Sequence, residues 1–498
     1  MNHAESLNIL KRVLQDTQTL VIVGGQFGDE GKGKFVSLLA LPFDWIVRFS
    51  GGANAGHTFY VDGVELKTHL IPSGIGQPGK TNVIARGVFF SLSSFIDEFF
   101  KITNQLKSVG RKPSQILIDR LCPLFTPYHL LLEAYLEAIK GAEKIGTTGK
   151  AIAPLEALRK LRISPVVDDL FSQERLHRAM TELSRALEPI IKELLTMPQG
   201  QDFKQPSLSE VCGQYLKEAN LLRLLGQDKR VQIIDTSLAL WEAYRQGKTI
   251  LCEGAQAIGL DPYWGTYPFV SAGNSVAAGA SLGTGLPPQT CSTSILVFKT
   301  VPTRVGAGPF VSEYWERQAA EEFALATPHL FEQGKARSRF LREKLERINN
   351  GLASKAEFSQ YFQVLGFDRG ATTKRGRSTG CLDLQWLRYA IRINGPRWLA
   401  FGGLDKYSGL KQIPVVTGYS LDGRVLGPRE MPLTRELYRV EPVVTYLPGW
   451  NEDIIGARSE EELPTNACVF ITWLEQALEV PLLLIGTGPE HDHLIVRT

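Results

Sequence analysis

Thr19 to Val23 (TLVIV), followed at once by Gly24 to Lys34 (GGQFGDEGKGK), is the stretch that decides the fold. The β-branched run reads as a buried strand and the segment from Gly31 to Ala40 as a helix, so the glycines form the turn of a strand–loop–helix unit. Glycines let successive backbone N–H groups converge on phosphate oxygens, and a helix N-terminus adds positive potential. Gly25 and Gly31 are separated by five residues, one more than the Walker spacing, and Gly33 stands where that motif has its magnesium-binding hydroxyl. A metal ligand must come from elsewhere. Asp29 offers a carboxylate that can bind a cation and can also act as a base.

Working outward, Trp45 to Phe49 is a second strand-like run, and Val83 to Ala85, Ile116 to Ile118 and Ile250 to Cys252 are further short ones. Strands alternating with helical patterns predict an α/β fold, a large and mostly parallel central sheet covered by helices, with a P-loop-like nucleotide site. Residues 1–18 form an extension carrying a short amphipathic helix, and 19–498 form one large domain. A helical subregion is expected over about 171–245. The charged segment from Trp315 ends in Asn349, Asn350 and Gly351, a helix stop, and a helical surface insertion is placed over about 315–360.

Composition excludes several function classes. With 43% hydrophobic and 21% charged residues the chain is an ordinary globular protein. Lys and Arg total 55 against 52 for Asp and Glu, which gives no field for a nucleic acid or a membrane surface. The six cysteines have no short paired spacing, and Glu5, Lys11, Arg12 and Asp16 interrupt any secretory segment. A reducing, cytoplasmic setting fits.

Ser50 to Thr58 (SGGANAGHT) reads as a second small-residue loop after a strand. His57 there can donate to a developing oxyanion, and Asn54 and Thr58 can hydrogen-bond a phosphate or a base edge.

These two loops together resemble the signature of the adenylosuccinate synthetase family, which joins aspartate to inosinate (IMP) using GTP. The match continues in family order with LKTHLIPSG (66–74), IGTTG (145–149), EGAQ (253–256), GTYPFV (265–270), TRVGAGPF (303–310), ATTKRGRSTGCLD (371–383), LPGW (447–450) and GTGP (486–489). The resemblance implies that Asp29 takes the N1 proton of the hypoxanthine ring, that O6 attacks the γ-phosphate, and that the amine of aspartate then displaces phosphate from C6. His57 and Lys32 would be catalytic with Asp29. One magnesium ion per subunit would be held by Asp29 and the backbone oxygen of Gly56.

By the same resemblance Asn54, Thr148, Gln256 and Ser271 would contact IMP, with Arg162 reaching across a homodimer interface. Thr372, Thr373 and Arg375 would recognise L-aspartate, arginine suiting a carboxylate through paired hydrogen bonds. Gly28, Glu30, Gly31, Gly33, Lys34, Gly56, Thr58, Arg377, Asp405, Gly486 and Gly488 would bind GTP, Asp405 reading the guanine. The chain departs from the family's pattern at Lys150, Ala151, Ser271, Lys374 and Gly403. Gly403 removes a lysine that could lie along the base. Two other readings are a divergent paralogue with a different nucleotide, donor or amino acid, and a silent nucleotide-binding regulator. Asp29, Lys32 and His57 in one site speak against the second.

Overall fold

Strand-forming runs that are apolar on both faces require a sheet covered on both sides, and that is what this sequence builds. The computed structural model describes residues 3–141, 147–227, 229–304, 306–314, 317–366, 376–490 and 492–497. Its central sheet has ten strands: Thr19–Gly24 (β1), Trp45–Arg48 (β2), Thr81–Ile84 (β3), Gln115–Asp119 (β4), Val231–Ile234 (β5), Ile250–Glu253 (β6), Ser294–Lys299 (β7), Trp398–Gly402 (β8), Leu482–Gly486 (β9) and Leu494–Val496 (β10). Their order is β10-β9-β8-β7-β1-β6-β2-β3-β4-β5, all neighbours parallel except the edge strand β10.

Alternation along the strands feeds two separate cores. Val21 and Val23 pack with Leu296, Phe298 and Phe401 on one face. Leu20 and Ile22 pack on the other with Ile295, Val297, Phe35 and Leu39, and the helix His3–Val13 lays Leu10 against that side. A third core joins Ile84, Ile116 and Ile118 to the long helix Gln173–Thr196, whose Leu176, Met180, Leu183, Leu187, Ile191 and Leu194 form one apolar stripe.

The elements follow the expected strands closely, with the predicted helix from Gly31 observed as Lys32–Leu39. The 171–245 stretch holds helices Gln173–Thr196, Leu208–Gly226 and Thr236–Arg245, but also β5, whose VQII sequence is too short and too mixed to announce an edge strand. Within 315–360 lie helices Arg317–Ala326 and Lys335–Asn349, the latter stopping at Asn350 with Gly351 at φ 68°. Ile348 and, on the next helix Lys355–Gly366, Tyr361 and Phe362 sink into the main core. Among the described residues no helix is long and apolar enough to cross a membrane.

Three features position the site. β1 lies between β6 and β7, yet the chain leaves β1 for β2 and returns through β6, so the strand order reverses beside β1, the place where folds of this kind keep their sites at the strands' C-terminal ends. A hairpin of His57–Val61 and Val64–Thr68, closed by Asp62 and Gly63 at φ 48° and 79°, sets His57 against the helix after β1. Gly87 and Gly283 let two segments cross: Gly87 N–H donates to Gly283 O at 3.1 Å, and a β-carbon on Gly283 would stand 2.0 Å from Phe49 O.

Gly283→Ala should therefore destabilise the fold by about 1–3 kcal/mol through overpacking against backbone. Gly213→Ala, inside a helix with nothing within 4 Å of the added carbon, should stabilise by about 0.5–1 kcal/mol. Urea unfolding midpoints of the two variants check the pair, and the expectation fails if they move in the same direction.

Candidate active site

The loop after β1 is shaped by one of its own side chains. Glu30 Oε1 accepts the backbone N–H groups of Gly28 (2.8 Å) and Gln26 (3.2 Å), and Oε2 pairs with Lys32 Nζ at 2.7 Å, with the carboxylate fully buried. Gly24 admits no side chain, since a β-carbon would meet Glu30 Oε2 at 2.7 Å and Gln256 O at 2.8 Å. Phe27 anchors the loop from beneath: it stacks on Trp386 at 4.7 Å, touches Phe310 edge-on, and lies under the Arg304 guanidinium. Trp386 Nε1–H donates to Gly25 O at 3.0 Å.

Asp29 stands out of this frame. Its φ is 58°, a left-handed conformation that costs a non-glycine residue on the order of 1 kcal/mol and recurs at functional sites. The side chain is 33% exposed and Oδ2 pairs with Arg377 Nη2 at 3.1 Å. Burial would raise the Asp29 carboxyl, but Arg377 and then Lys299, Lys32 and His57 hold it below the usual range. The group is an anion at neutral pH. Among the described residues no set of three carboxylate, imidazole or thiol groups converges at Asp29. A cation here would draw on the Asp29 carboxylate and on oxygen atoms other than those of acidic side chains.

His57 opens the hairpin strand instead of lying in the loop before it, and it is buried. A β-carbon on Gly33 would meet His57 Cβ at 2.8 Å, so the glycine keeps the imidazole close to the helix N-terminus. His57 Nδ1 pairs with Glu253 Oε1. Glu253 also accepts Ser73 N–H at 2.9 Å and Ser73 Oγ–H at 2.6 Å. Burial works against the Glu253 anion, but His57, Arg48 and Ser73 hold its pKa down at about 2. Burial lowers the His57 pKa against the upward pull of Glu253. With Glu253 ionised, the imidazole proton on Nδ1 is the one it binds, leaving Nε2 as the nitrogen free of that contact.

Arg48 completes the group. It is fully buried, its Nη1 lies 3.5 Å from His57 Nδ1, and among the described residues its Nε and Nη2 have no hydrogen-bond partner. Arg48 and Glu253 face each other in register at the C-terminal ends of β2 and β6.

The remaining predicted residues fall into two groups around this centre. On one side, Asn54 Oδ1 accepts Gly52 N–H at 3.1 Å, and Gln256, at φ 55°, lays its amide over Gly51 with Oε1 buried and, among the described residues, unpartnered. Ser271 N–H donates to Leu260 O, and Thr148 and Gly149 are exposed. Gly56 and Thr58 are exposed beside His57.

On the other side, Lys34 Nζ donates to Gly488 O (2.7 Å) and His493 O (2.8 Å), and burial lowers its pKa to about 8 despite Asp405, Asp492 and Glu490. It ties the loop–helix unit to the C-terminal turn. Burial raises the Asp405 pKa, with Lys406 and Lys34 opposing. Gly486 lies against Gly402 and Gly403. Arg162 is exposed at the end of the helix Ile152–Lys160, at φ 68°. Ile145, Gly146, Thr372, Thr373, Lys374 and Arg375 lie outside the described residues.

Three members of the site went unassigned from sequence: Glu253, Arg48 and Lys299. The signal was present, since WIVR, ILCE and SILVFK each end an apolar strand on a charge. A charge closing a buried strand just before a glycine loop marks the C-terminal edge of a parallel sheet, where such folds keep their sites.

Comparison with known proteins agrees with this geometry. The adenylosuccinate synthetase family model matches residues 21–495. Adenylosuccinate synthetases of Halothermothrix orenii and Acidothermus cellulolyticus are 35% and 36% identical, each over 96% of this chain and 98% of the relative. The fully ligated adenylosuccinate synthetase of Plasmodium falciparum superposes with a TM-score of 0.78 at 26% identity, over 97% of this chain and 100% of that one. A succinoaminodeoxyadenylate synthetase of cyanophage S-2L shares the fold, with a TM-score of 0.52 at 15% identity over 96% of this chain and 95% of that one. A strand–loop–helix unit with a carboxylate at its mouth, a family match along nearly the whole chain and relatives covered almost end to end carry one conclusion: the chain belongs to the adenylosuccinate synthetase family, ligases that form a C–N bond.

Proposed function

We propose that this chain performs its family's reaction in the cytoplasm, the GTP-dependent joining of L-aspartate to IMP to give adenylosuccinate, GDP and phosphate, with Asp29 as the base that starts it. The observation that carries this reading is an ionised carboxylate, a third exposed, at the mouth of a glycine loop and ringed by Arg377, Lys299, Lys32 and His57. A base must be ionised before it can take a proton, and cations placed around it also suit a triphosphate.

Asp29 takes the proton from N1 of the hypoxanthine ring, and the electron pair moves to O6. O6 attacks the γ-phosphorus while the bond to the β,γ-bridging oxygen breaks, so GDP leaves and a 6-phosphoryl nucleotide remains. The amine of aspartate then adds at C6, loses its proton, and phosphate departs. A ring oxygen leaves poorly and a phosphate well, which is why a nucleotide is spent. The arriving phosphates compete with Asp29 for Arg377 and favour the charged imidazole of His57, whose Nε2–H can then donate to the transferred group.

Asp29 and Gly56 present hard oxygen donors, a set that suits magnesium with the rest of its shell left to water and phosphate. When bound, the ion neutralises charge on the triphosphate. The buried Oε1 of Gln256, without a partner among the described residues, and the side chain of Asn54 serve IMP together with Thr148 and Ser271, and Thr372, Thr373 and Arg375 serve aspartate. Gly28, Glu30, Gly31, Gly33, Lys34 and Thr58 frame the phosphate loop, while Asp405, Gly486 and Gly488 take the base of GTP. Arg162 reaches a partner's nucleotide in a homodimer, a reading supported by its exposure at the end of the helix Ile152–Lys160 beside the exposed Leu161.

Purified chain given IMP, aspartate, GTP and magnesium should form the succinyl-purine, followed by its ultraviolet absorbance, and Asp29→Asn should slow turnover by about 10³-fold or more while GDP binding persists. No product from the unaltered chain would sink the proposal. Mixed Asp29→Asn and Arg162→Ala protomers, each inactive alone, should regain about a quarter of full activity, because half of the dimers then hold one intact site. A mixture that stays inactive argues against the shared site.

Glu253→Gln should cut kcat by about 10²–10⁴-fold by releasing the His57 tautomer. The Glu253 pKa, about 2, lies below its ordinary value of 4.5, so its ionised form stabilises the fold above pH 4.5 and loses that contribution, on the order of 3 kcal/mol, as pH falls toward 2. Unfolding free energy followed against pH should flatten on the acid side in the variant. An unchanged acid limb would contradict the assignment.

A further inference from the structure

Gly403 opens the segment that carries Asp405, and the structure shows what lies over it. The backbone there is left-handed, φ 79°, and a β-carbon would stand 3.0 Å from Thr300 Oγ1 and 3.6 and 3.8 Å from Cδ and Cε of Lys406. The stem of Lys406 thus occupies the space from which a side chain at 403 would start. Local folding puts it there. Leu404–Tyr407 is a single 3-10 turn in which Lys406 N–H donates to Gly403 O at 3.1 Å, curling the lysine back over the glycine. Thr300 Oγ–H donates to Gly403 O at 2.7 Å and Tyr407 Oη–H to Thr300 O at 2.9 Å, which pins the turn.

The surroundings suit a flat ring. A β-carbon on Gly486 would lie 3.4 Å from Gly402 Cα and 3.7 Å from Gly403 N, so the two segments meet as bare backbone. Asp405 supplies the carboxylate next to Lys406, and Lys34 bridges from the phosphate loop to Gly488 O. Glycine backbone and a carboxylate give a floor and an edge, but neither covers the face of a base. A half-buried lysine presents apolar methylenes that can do so.

We infer that Lys406 positions the donor's purine in this chain, its methylenes lying along the face of the base whose edge Asp405 reads, in place of the side chain absent at 403. The inference rests on the donor-site reading above and adds a residue particular to this sequence. The role belongs to the stem and not to the charge, which separates it from a general attraction for phosphate.

Calorimetric titration of the full chain with GDP and with inorganic tripolyphosphate tests it. Lys406→Ala should weaken GDP about tenfold, Lys406→Met should stay within about threefold of the unaltered chain, and neither should change tripolyphosphate affinity by more than about twofold. Unchanged GDP affinity in Lys406→Ala overturns the inference. So does a methionine variant as weak as the alanine one, or an equal loss of tripolyphosphate. If the unaltered chain binds no GDP, the donor-site reading falls and takes this residue with it, whereas normal binding that ignores Lys406 removes the inference alone.

Discussion

A carboxylate folded back into its own loop sets the geometry of this protein's site. In a Walker loop the backbone N–H groups wait for a phosphate; here Glu30 takes those of Gln26 and Gly28 and is matched by Lys32. Burying that charge is favourable only because the ammonium and two amides meet it, and removing one partner of such a pair is far more costly than the pair is beneficial. The loop is therefore shaped before any ligand arrives. Its rigidity is what allows Asp29, the preceding residue, to be held at a left-handed φ and turned outward into the cations. The structural acid Glu30 and the acid proposed as the base, Asp29, are neighbours in sequence with opposite environments, and on that reading the environment assigns the roles.

The same division of labour recurs one strand away. Arg48 and Glu253 end adjacent parallel strands, buried and in register, and neither faces solvent. Their joint effect is on His57, whose Nδ1 is claimed by Glu253, so that the proton-bearing nitrogen is decided before substrate binds. Ser73 supplies two hydrogen bonds to the same carboxylate from the turn after the hairpin. Orientation of the imidazole is thus distributed over β2, β6 and the hairpin, elements far apart in sequence.

That distribution explains what could and could not be read beforehand. The strand–loop–helix unit, the parallel sheet and the nearness of Asp29 and His57 to the glycine loop were legible because each rests on residues close together in sequence: glycines, a β-branched run, an acid at a fixed offset. Glu253 was quoted only as part of EGAQ, and Arg48 and Lys299 were passed over, because their meaning comes from strand neighbours that only the sheet order reveals. β5 was hidden within a helical stretch for a related reason: four residues at an edge, one buried and three half-buried, carry almost no periodic signal. His57 was expected in a loop and begins a strand, since the pairing that defines the strand lies with Thr68 across the Asp62-Gly63 turn.

The helix Lys32–Leu39 joins the two ends of the site. At its first turn Lys32 is fixed to Glu30 and Gly33 touches His57; two residues on from Lys32, Lys34 holds the carbonyls of Gly488 and His493. One rigid turn of helix thus sets the separation between the reacting centre and the segment proposed for the base. On the proposed reading a ligand spanning both must match that length, so a nucleotide triphosphate held by its base would arrive with its terminal phosphate already placed relative to Asp29. Positioning of this kind lowers the entropic part of the barrier without any contact to the reacting atoms. Burial of the Lys34 ammonium strengthens the tie, because in low dielectric its hydrogen bonds to two carbonyls are hard to exchange for water. The helix whose N-terminus faces the glycine loop is therefore also the element that fixes the C-terminal turn.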